Sequence, residues 1–292
     1  MKLRAVVLAS AGVGCAAGRS ASPIDAPAPP CSHAPCDAAR DSPVVDAIAV
    51  DASSDPDLIW KSDFETGDLS EWSQVQACPG GVTVVTSPVR HGSYAARFEV
   101  ADDDTNAKCL LVPTENPRAQ LVGPFGLFQL NDDVYVGFST FFPADFPTVP
   151  ANGWFQLHED YGPPYVGSPT MEVDVYGDRL GMEANENDGS YHRIWTAGED
   201  IHRGTAWEDI VLHIKWSTDP AVGFIELWHD GVQQTFADGQ TREHLATLVP
   251  SINGLVDTVY MNQYRRAGVN LGSVVLYHDD IRVGRTYASV AR

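Results

Sequence analysis

The chain is short of basic charge, of long apolar runs and of helical periodicity, and each shortage narrows what it can be. Lys and Arg number 19 against 39 Asp and Glu, a formal net charge of −20. Nucleic-acid binding draws on a basic surface that neutralises phosphates, so this balance argues against such a partner. It also opposes long-range attraction of any polyanion. No segment approaches the roughly 20 consecutive apolar residues of a membrane-spanning helix. None sustains an apolar 3.6-residue period over three turns, and there is neither a glycine-rich nucleotide loop nor an internal repeat. Residues 16–57 contain no Phe, Trp, Tyr or Leu. A stretch of Ala, Pro, Asp and Ser buries too little apolar surface to offset its ordering entropy, so it reads as a disordered acidic tether.

Before the tether, Met1-Lys2-Leu3-Arg4 is followed by a short apolar run over residues 5–13 and by Gly14-Cys15. A basic start, a brief apolar stretch and a small residue before a cleavage point make a secretory signal peptide over residues 1–15. Cys15 follows Gly14 as in a bacterial lipoprotein box, although Gly12 stands where that box carries Leu. Lipid on Cys15 would tether the protein to a membrane. The expected location is therefore a bacterial cell surface or the medium, with contact to a membrane only through that lipid. Four cysteines remain. Cys78 and Cys109 flank two predicted strands and are expected to pair, while Cys31 and Cys36 can close a small loop within the tether. Residues 1–15 carry two positive charges and residues 16–57 a net −5, which leaves −17 on residues 58–292.

Those residues read as one all-β domain. Strands are predicted over 82–86, 93–100, 133–142, 154–158, 171–176, 210–216, 224–228, 232–236, 256–264 and 273–283. Met171, Val173 and Val175 alternate with Glu172, Asp174 and Tyr176, so one face is apolar and the other polar. His229-Asp230-Gly231 reads as a hairpin turn, since Asp-Gly supplies the positive φ that a tight turn needs. Many short strands at regular spacing indicate two stacked sheets, a sandwich or jelly roll. Its curvature would leave a concave groove for an extended polymer, walled by the Pro- and Gly-rich loops at 143–153 and 161–169.

Three segments carry the chemistry. In Trp154-Phe155-Gln156-Leu157-His158, strand alternation turns Phe155 and Leu157 to the core and puts Trp154, Gln156 and His158 on one outer face. An aromatic platform, an amide and an imidazole together suit sugar binding. The second segment is Pro117-Arg118-Ala119-Gln120-Leu121. The third is Tyr260-Met261-Asn262-Gln263-Tyr264-Arg265, where period two sets Tyr260, Asn262 and Tyr264 on one face.

The order and character of these segments resemble the jelly-roll polysaccharide lyases of the heparin lyase I, glucuronan lyase and alginate lyase groups. Those enzymes have a concanavalin-like fold, with an Arg-bearing strand, a Gln-x-His strand and a late Tyr-x-Lys…Tyr strand. The opening residues 63–72 and the closing residues 277–284 also look like the edges of that domain. The resemblance implies β-elimination on a uronic-acid polymer. Arg118 and Gln156 would neutralise the uronate carboxylate so that the adjacent carbon acid can ionise. His158 would serve as base or charge neutraliser and Tyr264 as acid, or as both acid and base. Trp154, Tyr260, Asn262, Glu172, Asp174, Tyr176, Arg193 and Arg265 would contact the substrate. Asn262 stands in place of the family's Lys, and the Tyr260-to-Tyr264 spacing is shorter than the family's. The alternative is a non-catalytic carbohydrate-binding surface protein of the same fold, which these two departures and the acidic balance favour.

The expected partner is a polyuronate or another acidic polysaccharide, and the chain is expected to act as a monomer. The elimination requires no cofactor. Asp279 and Asp280 with Glu65 are candidates for a structural Ca²⁺, since carboxylates suit that ion. Glu172-Val173-Asp174 also opens the Glu-x-Asp-x-(x)-Glu pattern of laminarinase-like glycoside hydrolases, but Tyr176 and Gly177 stand where the second Glu belongs. His213 and His229 read as solvated, on a strand exterior and at a turn.

Overall fold

The computed structural model describes residues 55–151, 155–161, 170–185, 191–248 and 256–292. The proposed signal peptide, all but residues 55–57 of the tether, Cys15, Cys31, Cys36 and Trp154 lie outside them, as do parts of both expected loop walls. In chain order the strands are β1 (Leu58–Ser62), β2 (Gln74–Gln76), β3 (Val82–Val85), β4 (Ala95–Val100), β5 (Arg118–Val122), β6 (Phe128–Gln129), β7 (Asp133–Phe141), β8 (Phe155–Tyr161) and β9 (Met171–Tyr176). They continue with β10 (Arg179–Asn185), β11 (Tyr191–Thr196), β12 (Trp207–Lys215), β13 (Phe224–His229), β14 (Val232–Gln233), β15 (Glu243–His244), β16 (Val256–Arg265) and β17 (Val274–Gly284). A single helical turn, α1 (Tyr287–Val290), follows.

The strands form two antiparallel sheets, the jelly-roll sandwich expected from their spacing. The first sheet runs β14-β13-β12-β7-β17-β4-β3, with β1 beside β17 and β15 beside β13. The second runs β11-β10-β9-β8-β16-β5-β2, with β6 beside β16. Alternation explains the core. Val134, Val136 and Phe138 of β7, Ile210, Leu212 and Ile214 of β12, and Leu276 and Val283 of β17 point inward from the first sheet. They meet Met171, Val173 and Val175 of β9 and Val259 and Met261 of β16. The predicted hairpin forms, with Asp230 at φ 49° and Gly231 at φ 76° between β13 and β14. Its second strand, Val232–Gln233, is shorter than the expected 232–236, although Gln234 N still bonds Leu227 O at 2.8 Å in the same register.

The core is not purely apolar. His278 of β17 is fully buried and bridges the sheets, its Nδ1 2.9 Å from Thr140 Oγ1 of β7 and its Nε2 2.9 Å from the carbonyl of Asn262 on β16. Burial pushes its pKa down to about 4, so it is a neutral structural imidazole. His213 is corrected from solvated to buried. Its ring stacks on Tyr135 at 4.0 Å and its nitrogens meet Asp133 and Glu226 at 2.7 and 2.6 Å. The outer face of the first sheet supplies enough partners to cover it.

The carboxylates named for Ca²⁺ do not come together as one cluster of metal-ligating side chains among the described residues. Glu65 accepts the amides of Ser93 and Tyr94 at 2.8 and 2.9 Å. Asp279 accepts those of Arg90 and His91, and Asp280 meets His91, Arg282 and Arg292. Protein donors hold all three.

Cys78 and Cys109 form the expected disulfide, with Cα atoms 5.2 Å apart and a sequence separation of 31. Closing a loop of that length removes chain entropy from the unfolded state worth about 3–4 kcal/mol. The Cys78→Ser/Cys109→Ser double variant is expected to lose roughly that much, read as a lower urea midpoint with a slope that steepens as the freed unfolded chain exposes more surface. An unchanged midpoint would show that the link contributes nothing.

Candidate active site

Strand register assembles a polar row across the outer face of the second sheet. Arg118 of β5 pairs with Tyr264 of β16, Tyr264 with Gln156 of β8, and Gln156 with Asp174 of β9. Directly paired residues on one face lie close enough for their side chains to interact. The Arg118 guanidinium lies over the Tyr264 ring, 3.8 Å from its centroid. Arg118 Nη1 donates to Gln120 Oε1 at 2.8 Å and Nη2 to Thr114 Oγ1 at 3.1 Å. Its Nε is buried and has no hydrogen-bond partner among the described residues. Asn116 Nδ2 donates to the Tyr264 hydroxyl at 3.0 Å. Asn262 pairs with Gln120 in the neighbouring position, and Tyr260 follows on the same face.

Beyond Gln156 the face turns acidic. Gln156 Nε2 donates to Glu172 Oε2 in a short hydrogen bond, and Gln156 Oε1 is buried without a partner among the described residues. Glu172, Asp174 and Glu183 bring one carboxylate oxygen each to within 4.8 Å of one another. The Tyr176 hydroxyl donates to Asp174 Oδ2 at 2.6 Å. Arg193 caps this end, its guanidinium 3.2 Å from the Tyr176 ring centroid and Nη2 3.2 Å from Glu183 Oε1. Gly181, opposite Asp174, leaves room for that ring, since a Cβ there would stand 3.0 Å from Tyr176 Cδ2. Burial pushes Asp174 up to about 7, helped by the charge of Glu183 and opposed by the Tyr176 hydrogen bond. Burial also raises Tyr176, with Asp174 adding to it.

The structure thus gathers Arg118, Gln156, Tyr264, Tyr260, Asn262, Glu172, Asp174, Tyr176 and Arg193 on one face. Two expectations are corrected. His158 does not share the face of Gln156. The register slips between them, so that His158 pairs with Val173 and Met261, both inward-facing and fully buried. Its ring stacks on Phe138 of the first sheet, with centroids 4.9 Å apart and planes at 19°. Strict alternation placed it outward, and a local irregularity inverts the parity. Arg265 likewise faces away from the substrate row. It is fully buried, ion-paired to Asp102 at 2.8 Å, and donates to the Val100 and Gly272 carbonyls. It follows Tyr264 directly, so period two already puts it on the opposite face. Sequence reasoning missed Asn116, Thr114 and Glu183. Glu183 supplies the third carboxylate from the next strand, which a short sequence pattern cannot register.

The second sheet of this all-β jelly-roll sandwich thus presents an Arg–Tyr–Gln row beside a carboxylate cluster. A family model described as polysaccharide lyase matches residues 64–282, most of the chain, and the protein belongs to that family of lyases. Among solved structures, the endo-β-1,4-glucuronan lyase of the fungus Trichoderma reesei aligns with a TM-score of 0.60 at 19% identity, covering 80% of this chain and 98% of that one. An alginate lyase from a Chlorella virus aligns at 0.52 and 11%, covering 78% and 100%. The catalytic domain of a glycoside hydrolase family 131 protein from Coprinopsis cinerea aligns at 0.52 and 11%, covering 81% and 98%. At these identities the structures share the fold. A search of curated protein sequences returns no match.

Asp174 gives a pH prediction. Its folded pKa, about 7, lies above its ordinary value of 3.8, so the folded state holds a proton that the unfolded chain releases earlier. Stability from this group is therefore complete below about pH 4 and falls as pH rises towards 7. Asp174→Asn, which still accepts from Tyr176, is expected to melt several degrees above wild type at pH 8, with the gap closing at pH 4. A gap independent of pH would refute the assignment.

Proposed function

We propose that the protein is an exported polysaccharide lyase that cleaves a weakly charged uronic-acid polymer by β-elimination, with Tyr264 as both base and acid. The Arg118–Tyr264–Gln156 row carries this reading. A guanidinium against the phenol ring and the Asn116 amide on its oxygen both favour the phenolate form of Tyr264, ionised before the step and so able to accept a proton. The unspent Nε–H of Arg118 stands beside it to neutralise the uronate carboxylate, and the second N–H of the Gln156 amide, whose first is on Glu172, is a further donor. Tyr264 takes the proton α to the carboxylate. The electron pair forms the C4–C5 double bond, and the departing 4-linked oxygen takes the proton back. One residue serves both steps when proton and leaving oxygen share a face of the sugar. Gln120 and Thr114 orient Arg118, and Arg193, Tyr176 and the carboxylates meet sugar hydroxyls.

Export is supported by the signal-like start and by a disulfide of the kind that persists in oxidising compartments. Lipid on Cys15 or free secretion both fit that start. The inward position of His158 and Asn262 in place of the family's Lys favour a second reading, a carbohydrate-binding protein that has lost turnover.

An ultraviolet assay for unsaturated uronate on glucuronan, alginate, pectate, hyaluronan and heparin separates the two. Absorbance is expected to rise on an unsulfated uronan and to fall by about 10²–10⁴-fold in Tyr264→Phe. Arg118→Ala is expected to lose about 10²–10³-fold. Binding without any absorbance would establish the second reading. New reducing ends without absorbance would place hydrolysis at the carboxylate cluster.

His158→Asn is expected to lower stability while leaving turnover per folded molecule within about tenfold, since losses from a removed acid–base group start at 10². A large loss of kcat at unchanged melting temperature would return the imidazole to the outer face and to the role of base.

A further inference from the structure

A second cluster lies away from the polar row, where the segment after β11 meets the ends of β12 and β13. His202 Nδ1 stands 3.2 Å from Glu208 Oε1 and 3.9 Å from Asp230 Oδ2. One donor atom from each of the three lies within 4.8 Å of the others. We propose that His202, Glu208 and Asp230 bind a first-row transition-metal ion of the zinc type.

Four observations carry this. The two separations from His202 Nδ1, 3.2 and 3.9 Å, bracket the roughly 3.3–3.6 Å between ligand atoms that bonds of about 2.0–2.2 Å set in tetrahedral array, so a small closure of Asp230 completes the set. An imidazole with two carboxylates selects zinc-like ions over Ca²⁺ or Mg²⁺, which take oxygen alone. His202 Nδ1 is buried at the atom yet makes no hydrogen bond among the described residues, although two carboxylates face it. The ligands are also held by outer contacts, as metal sites require. His229 Nε2 meets the other oxygen of Glu208 at 2.7 Å, the His202 amide donates to Glu208 Oε1 at 2.5 Å, and the Asp209 amide donates to Asp230 Oδ1 at 2.9 Å.

This arrangement corrects the reading of His229 as solvated, since it is buried against Glu208 and edge-on to Trp195. Glu208 is buried, while His202 and Asp230 are about one-third exposed, so an ion can enter from solvent. Asp230 and His229 also line a cavity of about 400 Å³ with Gly198, Glu199, Val232 and Gln234, which opens the Asp230 side of the cluster to solvent. The ion would clamp the segment following the edge strand of the second sheet onto the β13–β14 hairpin of the first. It would act on stability, independently of the lyase chemistry.

The test is calorimetric titration of the purified protein with Zn²⁺ at pH 7.5, with Ca²⁺ as comparison and melting temperature as a second readout. One equivalent is expected to bind with micromolar or tighter affinity and to raise the melting temperature, with Ca²⁺ doing neither. His202→Ala/Asp230→Asn is expected to weaken binding by more than the roughly 10–100-fold that loss of an outer-shell partner costs. It should abolish the thermal shift. Asp230→Asn alone keeps the turn and the bond to the Asp209 amide, and serves if the double variant fails to fold. No Zn²⁺ binding to wild type, or equal affinity in the variant, would overturn the site.

Discussion

The structure turns on the register of β8 between β9 and β16. Side chains alternate along a strand, so one slipped residue exchanges the inner and outer sets beyond it. Here Gln156 is held outward by its pairing with Tyr264 and Asp174, and two residues later His158 is held inward by Met261 and Val173. Upstream of the slip, the strand contributes the Gln156 amide to the polar row, bonded to Glu172. Downstream it contributes an aromatic ring to the core, against Phe138. The proposal that Tyr264 serves as both base and acid follows from that one irregularity.

A second constraint follows from burial. Arg118, Gln156, Glu172 and Asp174 are each at least nine-tenths buried, so the row is a partly dehydrated polar layer. Desolvation of such groups is tolerated only where they satisfy one another. Most do: Arg118 spends two nitrogens on Gln120 and Thr114, Gln156 spends its amide on Glu172, and Tyr176 spends its hydroxyl on Asp174. The atoms left over are informative, because a buried donor such as Arg118 Nε points to what the layer is built to receive. Behind it, His278 ties the backbone of Asn262 to Thr140, so the site strand is braced through the core by a neutral imidazole.

The strands with clean alternation were legible in the sequence. Met171–Tyr176 emerged with the same bounds and faces, and the Asp230-Gly231 turn followed from its need for positive φ. The joint placement of Arg118, Gln156 and Tyr264 came instead from the family resemblance, and the pairing of β5, β16 and β8 brings the three segments into one sheet. What stayed hidden depends on neighbours distant in sequence. A register slip leaves no local signature, so His158 was turned the wrong way. Glu183 joins Glu172 only through the pairing of β10 with β9, and His213 and His229 are buried only because Tyr135 and Glu208 arrive from other strands.

The acidic balance of the chain is divided unevenly over the face. The β5–β16 side carries Arg118 with the neutral donors Asn116, Gln120 and Asn262, whereas the β9–β10 side carries three carboxylates and a single capping arginine, Arg193. On the proposed chemistry, a uronate carboxylate is held where the cation is, and the neighbouring sugar meets carboxylates, which are good acceptors for hydroxyl groups. A sulfate at that second position would face Glu172, Asp174 and Glu183 at once. Like charges in a poorly solvated site repel more strongly than in water, so a densely sulfated chain is excluded by the same groups that would bind sugar hydroxyls. On that chemistry the carboxylates of this face, rather than the net charge, would select among uronans.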